Sequence, residues 1–275
     1  MRAWIGAGLI VGAGLSAGLA WGHETAAALS GPATLMAHDL VRYLHIVLLV
    51  FWLGPDVAIT IAGSYAANTQ LSASQRAGAA RMAEYYAIMP KVCMSLMLTV
   101  GGILSEHVGL EHPWWQMAGI VLVGPLWLSL TLLAWFGSGD AGLAASRLER
   151  WLRIALVFGI PVSVGYSTFT GRLAEAPYVG SKLLLFAAVL VLGLLASRAY
   201  APFLAAVKAL RPDAPSPELE QTIANGFRRG RLFVFATWAA LLLAALIGVV
   251  KPGVAEDQKS PAVNGSTEME MDAAP

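Results

Sequence analysis

The sequence predicts an all-α fold: a polytopic transmembrane helical bundle of six spans, preceded by an N-terminal apolar segment that is a signal or a seventh span. Three observations predict it. The 275 residues are 57% hydrophobic and only 13% charged, with a mean hydropathy of +0.65, whereas soluble domains run at about a quarter charged. Apolar stretches of about twenty residues, the length that crosses a bilayer, recur along the chain between polar or proline-broken connections. Lys and Arg are shared unequally between the two sides that these stretches define.

Within the segment 1–22, residues 3–21 form a small, Gly-rich apolar run after Arg2. Gly18-Leu19-Ala20 resembles a small-residue cleavage site, while the Gly8/Gly12, Gly14/Gly18 and Gly18/Gly22 spacings suit a retained helix packed closely on another. Gly6, Gly8 and Gly12 imitate a dinucleotide loop, but no strand precedes them, so that reading is set aside. The bundle is expected over 35–253, with spans at 41–62, 88–105, 115–136, 152–170, 180–200 and 232–250. Residues 64–84 read as a polar, Ala-rich linker, and 211–222 (RPDAPSPELEQT) as a Pro-broken surface loop. The acidic tail 254–275 lacks periodicity and is expected to be disordered.

With the N-terminus inside, thirteen basic residues fall on the inner side: Arg2, Arg76, Arg81, Lys91, Arg147, Arg150, Arg153, Arg198, Lys208, Arg211, Arg228, Arg229 and Arg231. Five fall outside: Arg42, Arg172, Lys182, Lys251 and Lys259. The positive-inside rule then puts the C-terminus on the outer side of a bacterial-type inner (plasma) membrane, with all five histidines on or near that side. Net charge is +1 with no dense basic block, which excludes a nucleic-acid partner. The single Cys93 excludes an internal disulfide framework, and no CxxC or CxxCH occurs. Any cofactor must be held by His, Met, Lys or carboxylates.

The first span after the N-terminal segment, HDLVRYLHIVLLVFWLGPDVAITIAG, is apolar apart from one stripe. At about 100° per residue, Arg42, His45, Trp52 and Asp56 fall within roughly 40° of His38. Ionisable groups in hydrocarbon cost several kcal/mol unless they face protein or water, so the stripe should point inward as the functional face. His45 has the chemistry to ligate haem iron or a metal, or to move protons; the alternative is a buried polar residue bonded to a neighbouring helix. His38 lies at the membrane edge, and Arg42 would pair with Asp39, pair with a propionate, or snorkel to the surface. Asp56, about 16 Å beyond His45 along the helix, cannot share a metal with it. It would take protons or cap backbone groups freed by Pro55.

Met89, Cys93 and Met97 recur at four-residue intervals, a soft sulfur row suited to Cu(I) and equally to ordinary core filling. Lys91 is expected to snorkel. In SEHVGLEHPWW, Glu106, His107, Glu111 and His112 either bind a divalent cation or form an exposed loop beside interfacial Trp114 and Trp115. Glu268-Met269-Glu270-Met271-Asp272 would hold a metal only weakly. Tyr166, Ser167, Thr168 and Thr170 would line a cavity or bond back to their helix. Lys182 opens its span on the same side as His45, placed to snorkel or to meet an acidic group held there.

LHIVLLVFWLG around His45, KLLLF around Lys182 and the closing LLLAALIGVVKP resemble the superfamily of CopD-like copper-resistance membrane proteins and HemJ-type protoporphyrinogen oxidases. The resemblance implies a helical bundle in which His45 binds haem b and Lys182 takes part in the porphyrinogen site. HemJ-type proteins are shorter, about four spans, and carry a His two residues before the lysine, where this chain has Gly180; Pro55-Asp56-Val57 replaces their aromatic and basic residues. CopD-like relatives handle copper instead. The expectation is an inner-membrane protein binding haem b through His45 in a redox role, with porphyrin or quinone as partner beside the lipid bilayer and a homo-oligomer as a further option. The alternatives are copper or other cation transport, and a non-catalytic scaffold.

Overall fold

The structure, a computed structural model, describes residues 32–210 and 216–254. The apolar segment 1–22 and the tail motif Glu268–Asp272 lie outside the described residues. Among the described residues there are seven helices and no strand: α1 (Pro32–Ala67), α2 (Ala73–Tyr86), α3 (Ile88–Glu106), α4 (Trp114–Phe136), α5 (Gly139–Phe169), α6 (Pro177–Ala209) and α7 (Pro217–Val250). Only Ala87 separates α2 from α3, and with that pair counted as one unit, six helices are long and apolar enough to cross a membrane. The chain is a multi-pass helical membrane protein.

The spans pack in chain order, each on its neighbour, and α1 closes the ring on α7 along its most lightly packed seam. Their alternating direction gives the bundle a histidine end, where His38, Glu106, Pro177 and Val250 lie, and an arginine end, with Arg76, Glu149 and Lys208. The 33 and 34 residues of α6 and α7 come to about 50 Å each, against about 30 Å of hydrocarbon. Both overrun the bilayer at the arginine end. This is why the helices extend well past 180–200 and 232–250: beyond the apolar window the chain keeps good helix formers, and α7 has its own start signal in the Ser216 cap and Pro217.

The stretch 64–84 differs from its reading as a linker, since most of it is α2. Ser72 accepts from Gln75 N at 3.3 Å, and the Gln75 side chain accepts from Ser72 N at 3.0 Å, a reciprocal capping box. Five alanines in the helix favour it intrinsically. Its buried face carries Ala80, Ala83 and Arg76. Arg76 Nε donates to Ala66 O at 2.9 Å, and its two terminal nitrogens grip Glu220 at 2.6 and 2.8 Å. That fork ties α2 to the ends of α1 and α7, over a small core of Ala66, Phe203, Ala206, Val207, Ile223 and Phe227.

The main core runs through the middle of the ring and includes Leu48, Trp52, Cys93, Met97, Trp127, Ile160, Val164, Leu190 and Leu241. Outside it, Val50, Phe51, Ile61, Leu122, Phe158, Leu242 and Leu246 are exposed, the apolar belt a lipid bilayer requires. Glycines bring helices close where side chains would collide: a Cβ on Gly226 would stand 2.8 Å from the Cβ of Phe203, which holds α7 against α6.

Candidate functional site at the histidine end

The stripe on α1 does face the bundle over most of its length. Trp52 is buried, edge-on to Phe186 of α6 at 6.3 Å, and His38, His45 and Asp56 are half-buried. Arg42 is the exception. It is exposed and makes no ion pair among the described residues. Near the helix end a long cationic side chain reaches water, and its position on the stripe does not hold it in.

His45 packs against Gly101 of α3, where a Cβ would stand 3.3 Å from its Cε1. Its Nδ1 is buried with no hydrogen-bond partner. Lys182 of α6 comes within coulombic reach of the same imidazole, and its ammonium group lies 3.0 Å from where a Cβ on Gly248 of α7 would be. No carboxylate pairs with Lys182 among the described residues. A histidine, a lysine and two glycines from four helices thus form one layer. A buried imidazole nitrogen with nothing to bond is costly unless something else answers it.

The layer has a polar roof. The His38 and His107 rings lie 4.9 Å apart and tilted, and His107 Nδ1 is bonded to Ile103 O at 3.0 Å. Arg172 reaches across to Glu111 O at 2.8 Å and to His112 Nδ1 at 3.4 Å, while His112 Nε2 meets Ser105 Oγ at 2.9 Å. Burial, the largest influence, lowers the His112 pKa, and Arg172 adds to this against the raising effects of Gln116 and Glu106. Arg172 thereby ties the SEHVGLEH loop to the turn that precedes α6. No group of three or more His, Cys, Asp or Glu side chains converges for a cation among the described residues.

Asp56 lies toward the arginine end, beside Trp238 of α7 and within reach of Tyr200 of α6. The Trp238 N–H is buried without a hydrogen bond of good geometry. Thr60 Oγ1 donates to the Asp56 backbone carbonyl at 2.9 Å. Cys93 and Met97 sit in the main core among apolar side chains, and Met89 is half-buried near the start of α3. Thr168 and Thr170 bond back to Val164 O and Tyr166 O. Thr168 also lines a cavity of about 310 Å³ between α5 and α6, walled by Val164, Leu173, Gly180 and Leu184.

A second constellation, at the arginine end, had no place among the candidate residues. Glu149 of α5 is 6% exposed. It pairs with Arg153 one turn on at 2.5 Å and accepts from Trp127 Nε1 of α4 at 3.3 Å. Lys91 of α3, expected to snorkel, instead covers the Trp135 ring at 5.0 Å and feels both Arg153 and Glu149. The readable signal was Glu149 and Arg153 at i,i+4 where the α5 span turns apolar. No family model, curated protein or solved structure matches the chain, so the chemistry of both sites is read from their own residues.

Proposed function

We propose that this chain is a redox protein of the HemJ type that binds haem b through His45. The observation that carries the reading is the buried, unpartnered His45 Nδ1 in a glycine-lined layer beside an unpaired lysine. An imidazole fixed in an apolar surround is a suitable axial ligand, and Gly101 and Gly248 keep side chains out of the space around it. In this reading a flat group would enter along the lightly packed seam between α1 and α7. Bound there, haem b would supply one-electron redox chemistry.

The chain's own residues would do the rest. Lys182 offers the positive charge that orients a propionate, or the carboxylate of a porphyrin substrate, next to His45. Arg42 and His38, at the mouth, suit the same carboxylates or the release of protons to water. Asp56, in the other half of the bundle beside Trp238, is placed to exchange protons with the arginine end. In this reading the histidine end and the C-terminus of α7 face the outside of a bacterial-type plasma membrane, as the distribution of Lys and Arg favours.

The test is the visible absorption spectrum of the detergent-purified protein, oxidised and then reduced with dithionite. A Soret peak with reduced α and β bands, lost in His45→Ala, is the expected result. A protein made with ample haem that shows no band overturns the reading. Copper analysis of the same sample, with Met89, Cys93 and Met97 substituted in turn, then decides between cation handling and a scaffold.

A further inference from the structure

We propose that the side-chain cluster at the arginine end made by Lys91 over Trp135 and by the buried Arg153 Nε and Thr131 hydroxyl binds a phosphate-class oxyanion. Three helices bring two cations and one carboxylate together there, and the carboxylate is already committed. Glu149 accepts from Arg153 at 2.5 Å and from Trp127 at 3.3 Å, and it makes no ion pair with Lys91. Lys91 has only the face of Trp135 beneath it.

The hydrogen-bonding ledger is open on the same side. Arg153 meets Glu149 through one terminal nitrogen, while its Nε is buried and unpartnered. Thr131, 3% exposed, leaves its hydroxyl unpartnered as well. An unmatched positive charge and two idle donors within a bundle are costly together unless an anion answers them. A tetrahedral oxyanion has oxygens enough to take the guanidinium, the ammonium and the hydroxyl at once. Access is from the arginine end, where α3 begins and α4 stops. Phe136, Trp151 and Arg150, at the same end of the bundle, are exposed. The same chemistry is presented by an anionic lipid headgroup and by free phosphate.

The experiment is thermal unfolding of the full-length protein in detergent, titrated in one arm with inorganic phosphate and in the other with phosphatidylglycerol, with phosphatidylcholine as control. A saturable rise in midpoint is expected in one arm, and that arm identifies the source. Lys91→Met should weaken the response by about tenfold or more, since it removes a charge-assisted bond. Lys91→Arg should restore it. Glu149→Gln, which frees Arg153 from its internal carboxylate, should tighten it. No response to either anion overturns the proposal, as does an equal response in Lys91→Met. Should Lys91→Met fail to fold, Glu149→Gln decides: an unchanged or weaker response overturns the site.

Discussion

Lys91 aside, the two ends of the bundle treat charge in different ways. At the arginine end, Arg76 is forked onto Glu220, Arg153 meets Glu149 through one terminal nitrogen, and Lys208 meets Glu84 at 2.6 Å. At the histidine end, His45 and Lys182 lie close together with no ion pair among the described residues, in a layer whose other members are glycines. Paired charges between helix ends hold architecture. An imidazole and an ammonium group without partners make no such tie, and ionisable groups of this kind inside a membrane are candidates for function.

The sharpest way to break that contrast is to remove one partner at each end. Arg76→Met should destabilise by about 3 kcal/mol, since it strands Glu220 and the Ala66 carbonyl; Glu220, with its side chain 28% exposed, recovers part of this from water. Unfolding in detergent measures it, and a loss under 1 kcal/mol would mean that the fork is decorative. His45→Ala should cost less than Arg76→Met, about 1–2 kcal/mol, because no hydrogen bond is lost and only packing against Gly101 goes. If it costs more, the histidine layer is structural after all.

Smaller effects sharpen the comparison. Lys208→Met removes a pair whose lysine side chain is 59% exposed, so a change below about 1 kcal/mol is expected. Gly101→Ala should leave stability within about 1 kcal/mol while moving the His45 ring, because the new Cβ is tight against it; a shifted Soret maximum would report the movement. The smallest effect concerns the roof. His112 has a lowered pKa, so its folded form prefers the neutral ring. Its contribution is complete above the ordinary histidine value of 6.5 and is lost as pH falls from there towards the lowered one. Amide exchange in residues 105–112 should quicken over that window and no longer do so in His112→Gln.

Much of the bundle was legible because a bilayer leaves few choices. Apolar runs 88–105 and 115–136 became α3 and α4 to within a residue or so. The inward stripe of α1 followed from the 3.6-residue period, with Arg42 failing because a long side chain near a helix end escapes the geometry of its Cα. Less legible was whatever depended on a partner far away in the chain. The helix α2 was hidden in a polar stretch, since its stability comes from Ser72, Gln75 and a fork to Glu220. Lys91 looked like a surface cation until Trp135, some forty residues on, proved to lie beneath it.

By itself the sequence determined that the chain crosses a membrane as a helical bundle, and that one face of its first described span could not be turned to lipid. Hydropathy and helical period are local properties, and desolvation enforces them without reference to the rest of the fold. Only the tertiary structure decided which charged groups are answered. Whether His45 keeps a free nitrogen, whether Lys182 finds a carboxylate, and whether Glu149 is committed are set by helices meeting across the ring. In a low-dielectric interior those meetings decide between a structural residue and a site.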